Sequence, residues 1–153
     1  MPYVPLLFED HTLAGFRPLS WSMPVGELRC GLLNPRERVT LACDGPPVLL
    51  LRSFLEELGR DAGHAVGTVA VHEAVARAGA DRALWLSPRL GADWRLLDTV
   101  TRRLLATDDA FTVRDAAGLL AAAVPVAELD SWRPAWNAWQ EPAEASGCSR
   151  DPV

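Results

Sequence analysis

Three short runs, YVPLLF (Tyr3 to Phe8), VLLL (Val48 to Leu51) and ALWL (Ala83 to Leu86), are apolar at nearly every position and stand between stretches of helical spacing. Runs of this length and character read as strands buried on both faces. Strands that alternate with helices pair in parallel, because a parallel connection needs a crossover of a dozen or more residues. That alternation limits the fold more than composition does. It predicts α/β architecture with a mainly parallel sheet. Near the C-terminal side, FTVRDAAGLLAAAVP (Phe111 to Pro125) reads as two strands around Asp115-Ala116-Ala117-Gly118, an antiparallel edge hairpin. With 153 residues, 49% of them hydrophobic, the chain is the size of one domain with a real core.

The helix signals fall between these strands. Asn34 is a good N-cap and Pro35 suits the first helical position, so a helix runs to about Cys43. Ser53 is the expected cap of SFLEELGRDAG, where Phe54, Leu55 and Leu58 have helical spacing and Gly59 and Gly63 close the segment. AVGTVAV (Ala65 to Val71) is expected to be a short strand or part of a loop, and HEAVARAG a short helix ending at Gly79. SPRLGAD reads as a loop. Asp93 caps WRLLDTVTRRLLAT, with Leu97, Val100, Leu104 and Leu105 inward and Arg102 and Arg103 toward water. AELDSWRPAWNAWQE is the last expected helix. The expected domain spans 1–141, and 142–153 is a tail or linker to a following domain. Pro5 is expected near a strand start or at a position that need not donate.

Charge and composition exclude several classes. A net charge of −5 argues against a general nucleic-acid binder. All fifteen basic residues are Arg, so no Lys is present to form a Schiff base or act as a general base. Cys30, Cys43 and Cys148 contain no CxxC and suit a reducing, cytoplasmic setting. No charged region followed by an apolar one marks a signal peptide, and no apolar run is long enough to span a membrane.

The irregular stretch FRPLSWSMPVGELRCG (Phe16 to Gly31) follows the first strand. A long unstructured segment at the carboxyl end of a strand is well placed for a ligand. Arg17 and Arg29, with Arg36 and Arg38 just beyond, carry planar donor forks that match phosphate oxygens. They are candidates for an anion site aided by the helix start at Asn34. The alternative is that they pair with Glu9, Glu27 and Glu37 and hold the loop down. Glu9 and Asp10 end the first strand, either as ribose or metal contacts or as turn carboxylates. Asp108-Asp109 reads as a solvated turn. His11, His64 and His72 lack ligand spacing, so no structural zinc site is expected. Trp132, Trp136 and Trp139 are spaced four and three, on one face of the last helix, for core packing or for docking to another domain or subunit.

The loop RPLSWSMPVGELRCG resembles the RPL[ST]…RPVxELRxG signature of the sugar nucleotidyltransferase domain that begins GlmU-like proteins. LLFED, ALWLSPRL and FTVRDAAGLLAA follow in the family's order, and the resemblance extends to about residue 141. It implies a reduced nucleotidyltransferase-like Rossmann fold, and a following domain of acyltransferase type. More distantly the loop is similar to RPLTxxxPKxLLPVxGxP of sugar-nucleotide pyrophosphorylases, which join a nucleoside triphosphate to a sugar 1-phosphate and release pyrophosphate. That likeness implies Mg2+ and puts Arg17 near the triphosphate; the reading of the residues themselves adds Asp10, Arg29 and Arg36 as expected contacts to a nucleotide or sugar phosphate. The departures are equally specific. Val25 stands at the motif's Lys and Met23 at the related family's Arg. Only Ala14-Gly15 remains of the Gly-rich loop, and the third strand ends in Leu86-Ser87-Pro88 where a metal-binding Asp is usual. Loss of one such charge-stabilising group costs about two to three orders of magnitude in rate. The sequence therefore supports two functions: sugar nucleotidyl transfer with phosphate binding, or a non-catalytic regulatory or assembly module. A third, an interaction domain, rests on the Trp face alone.

Overall fold

The computed structural model describes residues 2–10, 13, 16, 19, 22–29, 31–106 and 111–131. In order, the elements are β1 (Tyr3–Phe8), α1 (Pro35–Ala42), β2 (Val48–Leu50), α2 (Ser53–Asp61), α3 (Gly67–Ala78), β3 (Arg82–Leu86), α4 (Trp94–Leu105), β4 (Phe111–Arg114) and β5 (Leu119–Pro125). They build an α/β domain around a five-stranded mixed sheet of order β2-β1-β3-β5-β4. β1 lies parallel to both β2 and β3, with Leu7 opposite Leu49 and Leu86. β5 runs antiparallel to β3 and to β4, so the hairpin forms the far edge. Pro5 lies before the β2 ladder, which begins at Leu6.

Alternation along the strands divides the core in two. Leu7, Leu49, Leu84, Leu86, Ala121 and Ala123 face one layer, where Val39 of α1, Leu55 of α2, and Leu97, Val100 and Leu104 of α4 cover them. Val4, Leu6, Phe8, Leu50, Trp85 and Val124 face the other, with Val71 of α3 and Leu129. The small side chains of β5 let α4 approach closely. Leu97 and Leu104 are fully buried there, each adding about 1.5–3 kcal/mol relative to exposure.

Four local expectations change. The N-cap of α2 is Arg52, with no side-chain cap, and Ser53 is the first helical residue. Val66 makes one parallel bridge to Leu49, after which Gly67, at φ 84°, turns the chain directly into α3. Thus most of AVGTVAV is helix. Val71 and Val75 pack onto the sheet from α3, and that burial outweighs the β preference of a Val-rich run. SPRLGAD contains a 3-10 helix, Pro88–Ala92, capped by the Ser87 hydroxyl. Leu105 is 40% exposed, while Thr101, one turn from Leu97, is buried in its place.

The rest of the α4 and hairpin reading matches. Asp93 caps α4 through the Arg95 and Leu96 amides. The Asp115 carboxylate accepts from the Ala117 and Gly118 amides and shapes the turn. Asp108, Asp109, His11 and the three Trp of the expected last helix lie outside the described residues, as does Arg17. No helix among the described residues is long and apolar enough to cross a membrane.

Candidate functional site

β1, β2 and β3 are parallel, so their carboxyl ends meet on one edge of the sheet. The chain leaves β1 toward β2 and leaves β3 toward the hairpin, in opposite directions. Between such strands an open α/β sheet offers its usual ligand crevice. Glu9 and Asp10 sit there, 1% and 9% exposed.

Glu9 is the centre of the edge. Its carboxylate accepts the Val25 amide at 2.6 Å and the Arg52 Nε at 2.9 Å. Its own amide donates to the Leu50 carbonyl. The three contacts join the end of β1, the 3-10 turn Val25–Glu27 and the start of α2. Burying a charge is unfavourable unless it is paired and hydrogen-bonded, and Glu9 has both kinds of partner. Asp10 accepts the Leu13 amide on its carbonyl.

A second carboxylate, Glu27, gathers the region around α1. Arg36 Nε donates to it, Asn34 Nδ2 donates at 2.9 Å, and His64 Nε2 lies 3.3 Å away. Glu37 closes the capping box with Asn34 at the start of α1. Arg36 is thus ion-paired, as the alternative reading of the Arg cluster expected, though Glu9 pairs with Arg52 and Glu37 with backbone. Arg29 is exposed, and its Nη1 donates to the Leu32 carbonyl at 3.2 Å. Of the four candidate positions, Asp10, Arg29 and Arg36 are therefore described: Asp10 follows β1, Arg29 bonds the Leu32 carbonyl and Arg36 bonds Glu27.

The β3 side of the crevice is built differently. Ser87 donates its amide to the Leu120 carbonyl, and its hydroxyl accepts the Arg89 amide. Arg89 donates to Asp115 at 2.7 Å and to the Leu119 carbonyl at 3.2 Å, which ties the hairpin turn to this edge. The Pro88–Ala92 helix packs against α1 and the Val25–Glu27 turn. Contact is close: a Cβ on Gly91 would lie 2.5 Å from Pro35 Cβ and 2.7 Å from its Cα.

Beyond β2 a groove of about 480 Å³ opens between α2 and the first turn of α3, lined by Glu56, Arg60, His64, Gly67, Thr68 and Glu73 among others. The Glu56 oxygens lie 3.6 and 3.7 Å from the point a Gly67 Cβ would take, so a carboxylate already faces the start of α3.

Three groups among the described residues have shifted ionisation, and in one of them burial, ahead of the neighbouring Cys43 and Asp44, raises the Tyr3 phenol. Burial, then the neighbouring Asp44, pushes the Cys43 thiol up to about 12, with the Thr101 hydroxyl acting the other way. A thiol so protonated is a packing group and no nucleophile. Asp115 lies below its ordinary value: desolvation opposes the shift, but hydrogen bonds from Gly118, Arg89 and Ala117 outweigh it.

Among the described residues no group of three His, Cys, Asp or Glu is placed to hold a metal ion. Glu9 and Glu27 are bound by Arg, and β3 contributes Ser87. Among the described residues, Glu9 and Glu27, each already paired with Arg, do not fit a Mg2+ site built by the protein, since such sites take one or two free carboxylates together with substrate phosphates. Sequence reasoning missed Arg52 as a member of this edge. Its signal was its place, directly after the second buried strand, where a cation would meet any acid ending the first.

The fold and this edge define the class: an α/β domain that carries a long Arg-bearing loop where parallel strands end. The chain belongs to the sugar nucleotidyl transferase family, whose sequence pattern matches residues 5–131. No curated protein matches the chain.

Proposed function

We propose that the chain is a GlmU-like, reduced Rossmann-type domain that binds a nucleoside triphosphate or a sugar phosphate at the loop after β1. One observation carries this reading: the loop leaves the sheet at Asp10 and returns at Val25, whose amide bonds Glu9. The signature segment between them starts and ends on the edge where α/β sheets take ligands. In this reading Arg17 and Arg29 bear on phosphate oxygens, Arg36 adds a charge already balanced by Glu27, and Asp10 orients the polar end of the ligand. Any Mg2+ enters with the phosphates.

A second reading, a non-catalytic regulatory or assembly module, draws on a different observation. The residue at the end of β3 is Ser87, whose hydroxyl caps the next helix, while Glu9 and Glu27 are both held by Arg. In that reading the partner is a following acyltransferase domain, or a second copy through Trp132, Trp136 and Trp139.

Calorimetric titration with uridine and adenosine triphosphates and glucose 1-phosphate, with and without Mg2+, separates them when followed by a pyrophosphate-release assay. The transferase reading expects binding and release, with affinity falling at least about tenfold in Arg17→Ala, as loss of a charged hydrogen bond implies. Binding without release favours the module. Absence of binding by every ligand removes the anion site altogether.

A further inference from the structure

Phe54 lies in the first turn of α2, two residues beyond Arg52 and so on the same carboxyl edge as Glu9. It is 48% exposed, more than any other aromatic residue among the described residues. The Arg52 guanidinium carbon stands over one face of its ring, 5.1 Å from the centre. Arg52 is not free to swing away, because its Nε also bonds the buried Glu9 carboxylate at 2.9 Å. The ring is therefore backed on one face by a held cation and left to water on the other. Phe111 makes the contrast. Arg103 covers its face at the same 5.1 Å, yet that ring packs against the core and is half-buried. Leu58, one turn on from Phe54, is 46% exposed and extends the apolar surface along α2.

We propose that Phe54 is the platform for the base of a nucleotide, with Arg52 as its backing, so that this edge takes a nucleoside triphosphate in preference to a sugar phosphate. The chemistry of the ring makes this specific. Every nucleobase has a π face, and stacking it on an aromatic side chain needs no directional hydrogen bond. A cation over one face is attracted by the ring and leaves the opposite face for a flat partner. A sugar phosphate carries no planar π group to lay there. The inference rests on the phosphate-binding reading above for the other end of the ligand, and on Phe54, Arg52 and Glu9 for the base.

Calorimetry of wild type, Phe54→Leu and Phe54→Trp with adenosine triphosphate, inorganic tripolyphosphate and glucose 1-phosphate reads it. Leu keeps an apolar side chain but removes the π face, and Trp enlarges that face. The position is exposed, so neither change reaches the core. Phe54→Leu should weaken adenosine triphosphate at least about fivefold, the low end of what stacking one base contributes, and leave the other two ligands unchanged. Phe54→Trp should bind adenosine triphosphate as tightly as wild type or more so. Unchanged adenosine triphosphate affinity in Phe54→Leu, or an equal loss for tripolyphosphate or glucose 1-phosphate, overturns the inference. A second measurement dispenses with phosphate: adenosine titrated into the wild type should move the Phe54 ring protons upfield in the NMR spectrum. If no phosphate ligand binds the wild type, the functional reading fails and the adenosine titration decides the platform by itself. An upfield shift then sustains it, and unmoved ring resonances overturn it.

Discussion

The two sides of the crevice at the carboxyl edge are closed by ion pairs of opposite character. On the β1 side, Glu9 is 1% exposed and bonds Arg52 and a backbone amide within the protein interior. On the β3 side, Arg89 bonds an Asp115 that is 42% exposed, on a hairpin turn that water reaches. The same residue types therefore do different jobs. Removing one partner of a buried pair leaves the other charge stranded, whereas an exposed pair exchanges protein contacts for water at little cost. The β1 side should be rigid and sensitive to substitution, and the β3 side tolerant.

The largest effect is expected from Glu9→Ala. It takes the carboxylate from the Arg52 guanidinium and the acceptor from the Val25 amide together, and the loss of a buried partner costs about 3–5 kcal/mol. Urea denaturation of the two proteins measures it through the midpoint at constant slope. A loss below about 1 kcal/mol, the range of surface pairs, would erase the contrast between the two sides.

Gly91→Ala comes next, because it tests the backbone contact that joins the sides. The added methyl meets Pro35 Cα, part of the main chain, at 2.7 Å, so α1 or the Pro88–Ala92 helix must shift. Overpacking of this kind costs about 1–3 kcal/mol. Gly26→Ala is the sharper control. Its methyl meets only Leu7 Cδ2, the movable end of a side chain, and should cost less in the same denaturation experiment. The reverse order would mean that the Val25–Glu27 turn is the tighter of the two contacts.

The sequence carried the architecture better than the edge, and particular residues say why. β1, β2 and β3 were legible because burial on both faces leaves continuous apolar runs, and the hairpin because Asp115 and Gly118 have turn chemistry of their own. α1 and α4 were legible from Asn34 and Asp93, whose caps act on amides two or three residues away. AVGTVAV misled because its fate is decided by Gly67 and by packing on β1 and β2, neither of which shows in a Val-rich run. The edge was harder still. The Glu9–Arg52 pair joins positions 43 apart, and nothing local tells which of several Arg an acid will meet. Glu27 was visible as a partner for the Arg cluster, yet Arg36, Asn34 and His64 converge on it only because α1 begins where the α2–α3 connection passes.

The smallest expected effect lies on the β3 side, and its sign follows from Asp115. The carboxyl's folded value is depressed, so its contribution to stability is present above its ordinary value and is lost as pH falls through the depressed one. Asn at this position keeps an acceptor for the Ala117 and Gly118 amides but gives up the charge that faces Arg89. Asp115→Asn should therefore leave the neutral-pH midpoint close to wild type and flatten only the acid limb of the stability curve. Denaturation repeated from neutral pH down through the carboxylate range reads both. The turn is open to water, so solvent screens the pair, and Arg89 keeps its bond to the Leu119 carbonyl. A midpoint drop at neutral pH as large as that of Glu9→Ala would show that the hairpin latch carries the edge as heavily as the buried pair, and the two sides would no longer differ in kind.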